Sequence, residues 1–135
     1  MITLNVAYAR MKRQKIEEFA GNCFLHRDNI VEKIPYLQAH KKQQFLFGIY
    51  NSETKWTVLS VNFLYAAYED KITTLRLDTE TDKIYNYFSI EENDFSSDIC
   101  LKDGRCIWMK SQALSSLILN IMLMLEKIPC GTVLE

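Results

Sequence analysis

Four successive runs decide the fold class: Phe45-Leu-Phe-Gly-Ile-Tyr50, Trp56-Thr-Val-Leu-Ser-Val61, Phe63-Leu-Tyr-Ala-Ala-Tyr-Glu69 and Lys71-Ile-Thr-Thr-Leu-Arg-Leu77. Each is rich in aromatic and branched residues at period two. Each is bounded by polar joints, at Asn51 to Thr54, near Asn62, at Glu69-Asp70 and from Asp78 to Lys83. That combination is the signature of strands. Reading outward toward the C-terminus adds strands at Ile84–Ser89, Asp98–Lys102 and Cys106–Lys110, for seven in all. Between the last two, Asp103-Gly104 suits a two-residue type I′ turn, because both central residues tolerate positive φ. The register that follows sets Lys102 against Arg105, Leu101 against Cys106 and Cys100 against Ile107. Cys100 and Cys106 then face opposite sides of the hairpin and cannot bridge.

Beyond Lys110 the apolar period becomes helical. Ser111 is the N-cap of a helix that runs to about Lys127 before Pro129 stops it. One half of its wheel carries Ala113, Leu114, Leu117, Ile118, Ile121, Met122, Met124 and Leu125 and must lie on the sheet. Leu119 and Leu123 interrupt the polar half, to be covered by the N-terminal helix or by a second copy in a homodimer. At the other end Tyr8, Met11, Ile16, Phe19 and Cys23 share one side of an amphipathic helix ending near Gly21-Asn22, with Arg10, Arg13, Gln14 and Glu17 opposite. Ile2, Leu4 and Val6 alternate before it as a short strand or extended arm. Asp28 can cap a helix through Glu32, which Pro35 then breaks.

The chain has 135 residues and a formal net charge of -1, with 48% hydrophobic and 24% charged residues. These are the proportions of one globular domain over 1–135: an N-terminal helical extension at 1–43, then a strand-rich core with its C-terminal helix at 44–128. A balance so close to neutral gives no overall basic field for nucleic acid. The N-terminus lacks the basic and apolar regions of a secretory signal. The most apolar stretch, Leu114 to Leu125, falls short of the ~20 residues that span a bilayer. Cys23, Cys100, Cys106 and Cys130 form no Cys-x-x-Cys pair, which fits buried thiols in a reducing, cytoplasmic setting.

An α+β chain of about seven antiparallel strands closed by one long apolar helix, between Phe45 and Lys127, resembles the pleckstrin-homology-like fold. There, seven strands make two nearly orthogonal sheets, a half-open barrel capped by the helix. The run Trp56-Thr-Val-Leu-Ser60 followed by Lys71-Ile-Thr-Thr-Leu-Arg-Leu-Asp78 is similar to small bacterial domains of this type, with Ser60 where threonine is usual and an added N-terminal helix. Lipid-binding relatives use lysines and arginines between the first two strands. Here Asn51-Ser-Glu-Thr-Lys55 has one lysine beside a glutamate, which argues against that use. Small bacterial members include immunity proteins of contact-dependent inhibition and polymorphic-toxin systems, so the resemblance implies a cytoplasmic protein that binds a cognate toxin domain.

Between Asp78 and Asp98 seven acids, Asp78, Glu80, Asp82, Glu91, Glu92, Asp94 and Asp98, stand against one base, Lys83, and are interleaved with Tyr85 and Tyr87. An acidic, tyrosine-bearing edge suits the basic cleft of a nuclease by steering and by aromatic anchoring. The expected toxin-binding residues are Glu80, Asp82, Tyr85, Tyr87, Glu91, Glu92 and Asp94. A different use, docking a peptide or an anionic membrane surface, would draw on Arg10, Lys12, Arg13 and Lys15 together with Leu119 and Leu123. His26 and His40 stand without a spaced nucleophile, and Gly48, Gly104 and Gly131 make no phosphate-cradling run. No enzyme class, cofactor or metal is expected.

Overall fold

The structure, a computed structural model, describes residues 2–90, 98–101 and 103–135, without the side chains of Lys83 and of residues 85–90. Strands β1 (Phe24–His26), β2 (Phe45–Ser52), β3 (Lys55–Ser60), β4 (Phe63–Tyr68) and β5 (Lys71–Arg76) form one antiparallel sheet in chain order. β6 (Ile99–Cys100) and β7 (Cys106–Ile107) form a separate two-stranded ribbon. The helices are α1 (Leu4–Arg13), α2 (Ile16–Ala20), α3 (Ile30–Lys33), α4 (Leu77–Ile90) and α5 (Gln112–Leu125). The class is therefore α+β and antiparallel. The expected single set of seven strands resolves instead into a sheet of five and a ribbon of two.

Alternation along the strands sorts side chains onto two faces, and both are covered. One face carries Phe47, Ile49, Leu59, Leu64 and Ala66 into a core shared with Ala7, Met11, Ile16 and the buried side of α5. The other carries Leu25, Phe45, Trp56, Val58, Tyr65 and Ala67 into a second core closed by Ile30, Ile34 and Leu37. A bulge between Phe45 and Phe47 shifts the register, so that Leu46 and Phe47 both enter the first core. Residues 2–43 contribute side chains to both cores. They supply the lid of the second core and an edge strand, β1, absent from the sequence reading.

Several expectations are corrected. Ile84–Ser89 is not a strand but part of α4. Leu77, Thr81 and Ile84, at helical spacing, are all buried, Thr81 Oγ1 donates to Leu77 O at 2.7 Å, and Asp78 and Glu80 occupy the first turn, where negative charge is favoured. Ile2 to Val6 is not an extended arm, because Thr3 caps α1 by accepting a hydrogen bond from Val6 N–H. The long N-terminal helix is broken at Lys15, which sits at φ 60 and separates α1 from α2. Leu119 is buried in the main core, in which α2 packs on α5, in keeping with the expected cover by the N-terminal helix, while Leu123 is exposed.

The last correction falls on the hairpin. Leu101 N–H donates to Arg105 O at 2.7 Å, and Gly104, at φ 94, donates its N–H to Leu101 O at 2.9 Å. The turn is one residue longer than the two-residue form, with glycine in the left-handed position. The added residue moves Cys100 directly opposite Cys106, with Cα atoms 4.1 Å apart, and the two form a disulfide. Alkylation of the unfolded, unreduced chain should label Cys23 and Cys130 alone, rising from two thiols to four after reduction. Cys106→Ser should lower stability by about 2 kcal/mol through loss of a short closed loop. Four labels without reduction would refute the bridge.

Candidate functional site

α4 leaves β5 without a loop, and its first turn is fastened by its own acids. The Asp78 carboxylate accepts from Arg76 Nε at 2.6 Å and Nη2 at 3.0 Å, and from Cys130 N–H at 2.9 Å. The guanidinium first, and the amide second, hold its carboxyl below the usual carboxylate range. Glu80 Oε1 accepts from Arg76 N–H at 3.1 Å. Asp98, just before β6, accepts from the Tyr68 hydroxyl at 2.8 Å, and this bond, with burial, pushes the Tyr68 phenol up.

The expected toxin-binding residues therefore divide. Glu80 and Asp82 lie on the first half of α4, with Glu80 partly buried at the joint with β5 and Asp82 exposed. Tyr85 and Tyr87 fall on the second half of α4, their side chains outside the described residues. Glu91, Glu92 and Asp94 lie outside the described residues altogether. The structure gives Asp78, Glu80 and Asp98 bonding duties within the fold.

A second feature is a cleft of about 580 Å³ between α1, α2 and β1. It exists because α1 stops: Gln14 N–H closes on Arg10 O at 3.0 Å, Lys15 N–H on Lys12 O at 3.1 Å, and the left-handed turn at Lys15 sends α2 off on a new line. A non-glycine residue there costs about 1 kcal/mol or more, which the surrounding bonds must hold in place. Buried Met11, Ile16 and Leu46 give the cleft an apolar base, and Tyr8 and Phe24 give it aromatic walls. Tyr8 donates to Phe45 O at 3.5 Å, and the Arg27 guanidinium lies 4.1 Å from the centre of its ring. Lys12, Lys15, His26, Glu17 and Glu18 complete the lining.

Of the basic face expected on the first helix, Lys12 and Lys15 reach this cleft. Arg27 was missed because β1, which delivers it, has only three residues and no strand pattern of its own. His26 accepts from Asp28 N–H through Nδ1 at 3.2 Å and turns at the strand end, while the His40 ring packs 4.9 Å from that of Tyr65. Trp56 and Trp108 are both buried in the cores. Among the described residues no group of three His, Cys, Asp or Glu side chains is placed to hold a metal ion. No described helix is long and apolar enough to cross a membrane.

A carboxylate whose folded pKa is depressed contributes stability above its unfolded pKa and loses it as pH falls through the folded value. Asp78 should therefore steepen acid destabilisation below about pH 4, where an ordinary aspartate begins to protonate. Asp78→Asn should flatten that slope when urea midpoints are compared from neutral pH downward; parallel profiles would show that the Arg76 pair contributes nothing to the pH dependence. Searches with the whole chain find no matching protein family, no matching curated protein and no matching solved structure.

Proposed function

We propose that this protein is a bacterial immunity protein, a non-catalytic inhibitor that binds a cognate toxin domain, a nuclease by preference, and covers its basic active-site or substrate surface. The observation that carries the reading is charge segregation. Residues 77–98 hold seven acids and one base in a chain whose net charge is only -1. A basic nuclease cleft and an acidic segment attract one another before contact, which raises the association rate, and tyrosines among the acids supply area that can be desolvated. The pleckstrin-homology-like relationship belongs to the same proposal. Its support is the antiparallel meander β2 to β5, followed later in the chain by the apolar helix α5.

The bonds of Asp78 and Glu80 sharpen the proposal by moving the interface further along the sequence. Its centre would lie from Asp82 onward, with Glu91, Glu92 and Asp94, because a partner that claimed Asp78 would compete with Arg76 and the Cys130 amide. Docking to a peptide or an anionic membrane through Arg10, Lys12, Arg13 and Lys15 is the second reading. The exposure of that basic face favours it, and the burial of Leu119 removes half of the apolar pair it would use.

Expression of the toxin domain encoded beside this gene, with and without the protein, tests the first reading by viability. Rescue should accompany a stable one-to-one complex. The triple charge reversal Asp82→Lys, Glu91→Lys and Glu92→Lys should slow association by about tenfold or more at low ionic strength, and by much less in high salt. A toxin left fully active by the protein would overturn the reading, and an unchanged on-rate would remove its electrostatic basis.

A further inference from the structure

We propose that the cleft between α1, α2 and β1 is a binding site for a small organic monoanion with an apolar body, a carboxylate or sulfonate head on a hydrocarbon or aromatic frame. Its volume of about 580 Å³ falls within the range of small-molecule sites. Its chemistry is divided as such a ligand requires, with Met11, Ile16 and Leu46 beneath, aromatic Tyr8 and Phe24 at the sides, and cations around them.

Two features set the class of ligand. Arg27 is held over the Tyr8 ring, so its guanidinium is oriented before anything binds, and less freedom is lost when it meets a planar carboxylate. Lys12 and Lys15 line the same cleft from the α1 to α2 turn, where Lys15 keeps the left-handed backbone that opens the space. Glu17 and Glu18 also line it. They offset part of the positive field, so the cleft suits a single anionic head on an apolar body and rejects polyanions such as nucleic acid or polyphosphate.

The probe is 8-anilinonaphthalene-1-sulfonate, titrated by fluorescence against the folded full-length chain, beside its uncharged relative N-phenyl-1-naphthylamine. The anionic dye should bind at one saturable site, about tenfold more tightly than the neutral one. The double variant Lys12→Gln, Arg27→Gln should weaken the anionic dye by about tenfold and leave the neutral dye unchanged, as expected for loss of charge-assisted hydrogen bonds. Because Arg27 packs on Tyr8, the exposed single variant Lys12→Glu serves as a second test and should weaken the anionic dye on its own. Lys33→Gln, Lys41→Gln, outside the cleft, should leave binding unchanged. Equal affinity for both dyes, or anionic-dye affinity unaltered by both cleft variants, would overturn the proposal. So would dye binding that is lost only with Arg10→Gln, Arg13→Gln alongside co-sedimentation on phosphatidylglycerol vesicles, which would make the basic face of α1 a membrane surface instead.

Discussion

Trp56, Val58, Tyr65 and Ala67 on one side of the sheet, and Phe47, Ile49, Leu59 and Leu64 on the other, must all leave water at once. A sheet with two apolar faces needs two covers. At roughly 1.5–3 kcal/mol for each large side chain buried, neither face could remain open. The N-terminal third of the chain divides between these tasks. α1 and α2 join α5 on the first face, while the segment from Ile30 to Leu37 closes the second. Two-sided burial also explains why β3 is buried from Trp56 to Ser60 without interruption, where a half-solvated antiparallel strand would alternate.

Such a sheet also needs its margins fixed, and polar side chains do this at the C-terminal tail. The Gln44 amide donates to Leu134 O at 2.7 Å and accepts from Leu134 N–H at 2.8 Å, holding one tail residue as a paired strand would. Asn62 Nδ2 donates to Thr132 O at 3.2 Å, and Leu4 N–H donates to Glu135 O at 2.8 Å. The tail therefore ties the start of α1 to the entrance of β2 and the β3–β4 turn. Asp78 extends the same network to α4 through the Cys130 amide. The joint between sheet and acidic helix is thus an electrostatic contact reinforced by a backbone hydrogen bond, with the tail as its third member.

The sheet from β2 to β5 was legible because its alternation, turn residues and aromatic content all agree, and α5 because Ser111 accepts a cap bond from Leu114 N–H as its position implied. α4 was misread for a physical reason. Ile84, Tyr85, Tyr87 and Phe88 have high strand propensity, whereas the burial of Leu77, Thr81 and Ile84 at helical spacing emerges only once the sheet is in place. The hairpin was one residue out because Asp-Gly serves both two- and three-residue turns, and a slip of one reverses the facing of every side chain. That slip alone decides whether Cys100 and Cys106 meet. The cleft was invisible for a different reason: it depends on a left-handed lysine, a conformation that residue type does not announce.

The two candidate surfaces differ in how far their charges already serve the fold. On α4 the first acids are engaged: Asp78 holds both Arg76 and the tail, and Glu80 holds the Arg76 amide. A partner that drew them away would loosen the joint from which the helix starts, so their binding energy would be offset by lost stability. At the cleft, Lys12 and Lys15 are exposed and outside both cores, while Arg27 is oriented by stacking on Tyr8. Ligand contact there would add hydrogen bonds without displacing those that hold the sheet. The consequence is a difference in salt response. Binding steered by the acidic segment should weaken mainly through its association rate, as exposed charges are screened beyond about 10 Å at 0.1 M salt. Binding in the cleft would add short-range contact with an apolar base to its charged contacts, so its overall affinity should be the less salt-sensitive of the two.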